Sequence, residues 1–64
     1  MPFVRVEMLA GRSGAQKREV VEVFTRELAR IVACAEDDVQ IIVTEIAKSD
    51  WAVGGKFPAG HAPE

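Results

Sequence analysis

Cysteine and histidine occur once each, as Cys34 and His61, and tyrosine is absent from the 64-residue chain. A single thiol excludes an internal disulfide framework, and one thiol with one imidazole is too few ligands for a zinc site within one protomer. No apolar run approaches the roughly 20 residues of a membrane-spanning helix, and no basic segment followed by an apolar stretch marks a secretory leader. Neither sign of charge dominates. Eight Lys and Arg against ten Asp and Glu give a net charge of −2, mixed along the chain, which argues against a basic face for nucleic acid or anionic lipid. These absences lead to the expectation of a cytoplasmic protein, in line with its lone thiol, with no metal or other cofactor, no nucleic-acid partner and no membrane.

What the chain does have is apolar content, 48% of its residues. A length of 64 residues allows one domain, spanning 1–64, and such short chains need a disulfide, a metal or association with further copies to stabilise their core. The first two are excluded by composition, so part of the apolar surface is expected to face neighbouring copies.

From Phe3 to Leu9 the residues FVRVEML alternate, with Val4, Val6 and Met8 on one face and Phe3, Arg5, Glu7 and Leu9 on the other, the pattern of a strand. The turn AGRS follows, and Ser13 with Gln16 has the spacing of a capping box. A helix is predicted from Ala15 to about Ala33, with Val20, Val21, Phe24, Leu28, Ile31 and Val32 on its apolar side and Glu22 and Arg26 at ion-pair spacing. After the turn AEDD, the β-branched run from Val39 to Ile46 predicts a second strand. Strand, long helix, strand is the βαβ unit of the α/β class, with parallel strands joined by a right-handed crossover. Gly54-Gly55 predicts a short C-terminal hairpin, and Pro58, Gly60 and Pro63 predict a loose tail over about 58–64. Two strands leave one sheet face and both edges bare, so the sheet is expected to be completed by oligomerisation.

Pro2 directly follows Met1. Proline suits the first position of a strand, where its missing N–H is not needed. If Met1 is removed, the same residue presents a secondary amine that can act as a base. Together with Pro2, the blocks GRSGAQK (Gly11 to Lys17), VTEIAK (Val43 to Lys48) and WAVGG (Trp51 to Gly55), in this order and spacing, make the chain resemble the 4-oxalocrotonate tautomerase family over nearly its whole length.

The resemblance implies an isomerase that moves a proton between the keto and enol forms of a small enol or 2-oxo acid, with Pro2 as general base and then acid. It also implies that Arg12 grips a remote substrate carboxylate, that Trp51 lines the pocket, and that the chains assemble as a homohexamer built as a trimer of dimers. An α-amino group ordinarily titrates at about 7.7–8.0 and a secondary amine is more basic, so the Pro2 nitrogen needs apolar burial or nearby cations to be neutral at physiological pH. Phe3, Trp51 and Val53 are candidates for the apolar wall. The sequence departs from the family at Gln40, where the second strand usually begins with an arginine that holds the 2-oxo group and its carboxylate. Glutamine gives a neutral hydrogen bond and no bidentate grip on an anion. Arg5, from the mixed face of the first strand, is an alternative source of positive charge. The departure leaves open a hydratase, dehalogenase or decarboxylase on the same scaffold, or a non-catalytic oligomeric binding module.

A further consequence is geometric. At roughly 3.3 Å per residue, a strand of seven residues holds Pro2 and Arg12 more than about 20 Å apart. Antiparallel pairing of the first strand with its copy would bring the neighbour's Arg12 to this Pro2.

Overall fold

A computed structural model describes residues 1–58; most of the expected tail, 59–64, lies outside the described residues. Strand β1 runs Phe3–Leu9, helix α1 runs Gly14–Val32, and strand β2 runs Gln40–Ile46. The strands are parallel and paired from Phe3 opposite Gln40 to Leu9 opposite Ile46. A backbone hydrogen bond closes each end of the ladder: the Gln40 N–H donates to the Pro2 carbonyl at 3.0 Å, and the Ala10 N–H donates to the Ile46 carbonyl at 2.9 Å.

The helix begins where its cap dictates. Ser13 has extended backbone, its Oγ accepts the Gln16 N–H at 3.1 Å, and Gln16 Oε1 accepts the Ser13 N–H at 2.9 Å, so the capping box is complete and Gly14 is the first helical residue. The helix ends at Ala33, which adopts φ 58° in the left-handed region while the Cys34 N–H reaches back to the Ala29 carbonyl at 3.0 Å. The acidic turn Glu36–Asp38 winds as a single 3-10 turn, and the Val39 N–H closes it on the Glu36 carbonyl. Val39 is therefore spent on the turn, and β2 starts one residue later than the β-branched run predicts. Arg26 leans toward Glu27 at 3.9 Å rather than Glu22, and Arg30 holds Glu27 at 3.0 Å. These pairs are exposed and nearly equivalent in energy, so spacing alone does not choose between them.

The even-numbered residues of β1 and the odd-numbered residues of β2 form the face under the helix, with Val4, Val6, Met8, Ile41 and Val43 half-buried. Only Ala29 is buried among the described residues, at 6% exposure. The apolar arc of α1 is wider than a two-stranded sheet covers. Val20, Leu28 and also Val23 turn away from solvent, whereas Phe24, Val32 and Ile31 remain exposed, Ile31 at 67%. The opposite sheet face is open, with Phe3 51% and Ile42 44% exposed. The predicted hairpin is a single antiparallel bridge between Val53 and Lys56, across Gly54 and Gly55 with φ 62° and 82°, the paired positive φ values of a type I′ turn. No described helix is long and apolar enough to cross a membrane.

Glu45 interrupts the helix-side face opposite Met8 and ties β2 to α1. Its carboxylate accepts from the Lys17 ammonium on α1, and chiefly this hydrogen bond and the Lys17 charge, with a smaller contribution from the Gly11 backbone, hold its pKa below the ordinary 4.5. A carboxyl depressed in the folded state contributes stability above its unfolded pKa, and that contribution disappears as pH falls from about 4.5 through the folded value. The urea midpoint of Glu45→Gln is thus expected to lie below that of the parent at pH 7 and to converge with it near pH 3, at equal protein concentration. A gap that persists in acid would show that Glu45 acts through packing and not through its charge.

Candidate active site

Pro2 stands just before β1 and is half-buried. Having no N–H, it joins the ladder through its carbonyl alone, which the Gln40 backbone fixes. The Gln40 side chain turns toward the same end of the chain: its Nε2 lies 3.2 Å from Met1 Sδ. Met1 is itself 81% exposed. While Met1 is attached, the Pro2 nitrogen is an amide nitrogen whose lone pair is delocalised and not basic. On the open sheet face beside Gln40, the Arg5 guanidinium carbon stands over the Phe3 ring, 5.9 Å from its centroid.

Arg12 lies past the other end of β1. The loop that carries it turns at Gly11, whose φ of 121° is closed to most other residues. The Ala10 N–H, bonded to the Ile46 carbonyl, pins this loop to β2. The Arg12 side chain is exposed and borders a groove of about 420 Å³ between β1 and α1, where it faces Gln16, Glu19 and the apolar side chains Met8, Val23 and Phe24. Sequence reading missed this groove; the recurrence of Gln16, Glu19, Val20 and Val23 on one helix face was the signal that could have found it. At the nearby helix start, the capping box already occupies the Gln16 N–H.

Of the four expected site residues, the fold therefore brings Pro2 and Gln40 together and leaves Arg12 at the far end of a seven-residue strand, more than about 20 Å from Pro2. Trp51 follows the 3-10 turn Lys48–Asp50 and is half-buried, on the segment that leaves the sheet at the end away from Pro2. Within one protomer the arrangement is two half-sites: a proline with a neutral hydrogen-bond donor, and a cation beside an apolar groove.

Comparison with known proteins supplies the context for these half-sites. The family model described as tautomerase enzyme matches residues 2–60. The chain is 38% identical to the 2-hydroxymuconate tautomerase of Bacillus subtilis strain 168 over 56 residues, covering 88% of this chain and 90% of that one. It is 36% identical to the 2-hydroxymuconate tautomerase of Comamonas testosteroni, with coverages of 86% and 87%. Among solved structures, a heterohexamer 4-oxalocrotonate tautomerase from Chloroflexus aurantiacus J-10-fl superimposes with a TM-score of 0.89 at 32% identity, covering 94% of this chain and 97% of its counterpart. The match of that family model to residues 2–60, together with relatives more than 30% identical over most of the chain, makes the chain a member of the tautomerase enzyme family.

Proposed function

We propose that removal of Met1 frees Pro2 as the general base and acid of keto–enol proton transfer on a small enol or oxo acid. The observation that carries this reading is the fixed placement of the Pro2 ring at the head of the ladder, with the Gln40 side chain turned toward the same end of the chain. In ketonisation the neutral amine accepts the enol hydroxyl proton as the C=O bond forms, and the resulting ammonium returns a proton to carbon. Enzyme and molecular formula are unchanged at the end of the cycle. The names of the relatives favour isomerisation over hydration, dehalogenation, decarboxylation or simple binding.

In this reading Arg12 holds the substrate's remote carboxylate from a neighbouring protomer, because the length of β1 forbids the pairing within one chain. Trp51 contributes an apolar wall. Pairing of the exposed β1 edge with a second copy, and burial of Phe3, Phe24, Ile31 and Ile42 between copies, support a homohexamer built as a trimer of dimers. The free Cys34 supports a cytoplasmic setting.

Three measurements test the reading. The intact mass of the protein from its native host is expected to lack one methionine residue, and full retention of Met1 would remove the proposed base. Replacement of Pro2 by alanine is expected to lower kcat on 2-hydroxymuconate by at least about 100-fold, the contribution of a positioned base; undiminished turnover would refute the assignment. Finally, Pro2→Ala and Arg12→Ala chains, each nearly inactive, are expected to regain up to about a quarter of parental activity when unfolded and refolded together, because mixed pairs of copies rebuild one intact site. Failure to regain activity in assemblies shown to be mixed would place both residues in the same chain's site.

A further inference from the structure

We infer that Arg5 and Glu7 are positioning residues that set the register in which β1 pairs antiparallel with β1 of a second copy, and with it the distance from Pro2 to that copy's Arg12. The inference rests on the reading in which a neighbour's Arg12 serves Pro2, and deepens it by naming what aligns the neighbour.

Backbone bonding narrows the choice first. The bonds that close the ladder use the Pro2 carbonyl and the Ala10 N–H, and successive residues of a strand direct these groups to opposite sides. The even-numbered residues of β1 therefore bond to β2, while Phe3, Arg5, Glu7 and Leu9 direct their N–H and C=O groups to the other edge. Among the described residues no strand pairs with that edge. An antiparallel copy has to set these odd-numbered residues against odd-numbered ones, because a shift by one residue breaks the bonding and sends the second helix to the opposite face of the sheet. The two-fold registers that keep most of the strand paired are centred on Arg5, Val6 or Glu7. Only the one centred on Val6 gives all four edge-facing residues a partner.

Charge selects the same register. Arg5 and Glu7 are exposed, their neighbours on β2 are the uncharged Ile42 and Thr44, and neither has an ion-pair partner among the described residues. Centred on Val6, the pairing sets each Arg5 opposite the other copy's Glu7 and each Phe3 opposite the other copy's Leu9. Centred on Arg5 it sets two guanidinium groups face to face, and centred on Glu7 two carboxylates, both unfavourable. A second copy also suits the space above this edge, since the groove bordered by Arg12 takes Met8 of β1 and no residue of β2 into its lining, with the apolar Val23 and Phe24 opposite. In the selected register Pro2 faces Ala10 of the second copy, and that copy's Arg12 lies two residues further on, about 7 Å along the chain. That leaves room for a small acid between amine and guanidinium. The register centred on Arg5 doubles the separation, and the one centred on Glu7 sets Arg12 directly against Pro2.

Cross-linking reads the register directly. In a Cys34→Ser background treated with copper–phenanthroline as oxidant, Val6→Cys is expected to link to its own copy, because residues facing across the axis lie about 4.5 Å apart at their Cα atoms. Arg5→Cys and Glu7→Cys, tested alike, are expected not to self-link. A self-link through position 5 or 7, or through none of the three in an intact assembly, overturns the inference. Charge reversal is the second measurement. Arg5→Glu and Glu7→Arg are each expected to weaken self-association in sedimentation by about tenfold or more, since like charges then face each other in two pairs. An equal mixture of the two chains, or both changes in one chain, is expected to restore the parental assembly and its turnover of 2-hydroxymuconate. Association that ignores the single reversals, or that neither combination restores, overturns the inference. Turnover that survives Pro2→Ala would sink the reading of the base while leaving the cross-link and the sedimentation result in place, so the two failures are distinguishable.

Discussion

One helix laid over two strands cannot close a hydrophobic core, and most of what is distinctive here follows from that shortage. Ala29 is the sole buried residue among those described, while Phe3, Phe24, Ile31 and Ile42 keep large apolar areas in water. At about 25 cal/mol per Å² of apolar surface, leaving such side chains exposed forgoes stabilisation that a domain of this size needs. The same shortage separates the candidate functional groups. A single strand connects Pro2 to the loop of Arg12, and its fixed rise sets them at opposite ends. In the proposed mechanism, the copies that cover the apolar face also rejoin the two halves of the site.

Local rules made the order and nearly all the boundaries of the elements legible in the sequence. Alternation from Phe3 to Leu9 marked β1, and the Ser13–Gln16 pair marked the helix start to within one residue of Gly14. The misses arose where an atom had two possible uses. Val39 has the side chain of a strand residue, but its N–H closes the preceding turn. On α1 the apolar positions were visible, yet periodicity alone could not tell Val23, which is half-buried, from Ile31, which overhangs the sheet. The width of the partner surface decides that, and it is a tertiary property.

The site was legible to a different degree. Pro2 stood out as a candidate by its position, and its distance from Arg12 followed from strand geometry. The groove beside Arg12 and the reach of the Gln40 amide to Met1 did not, since both depend on how side chains from separate elements converge. Glu45 falls between these cases. Its place on the helix-side face follows from alternation, but its role in tying strand to helix depends on Lys17 coming to it in three dimensions.

The hydrogen bond from the Gln40 N–H to the Pro2 carbonyl uses only main-chain atoms. Every residue except proline can supply that donor, so the ring at the head of β1 stays where it is whichever side chain occupies position 40. Position 40 is free to drift among neutral, charged and apolar side chains without disturbing the proline, so the two positions answer to separate constraints although a hydrogen bond joins them.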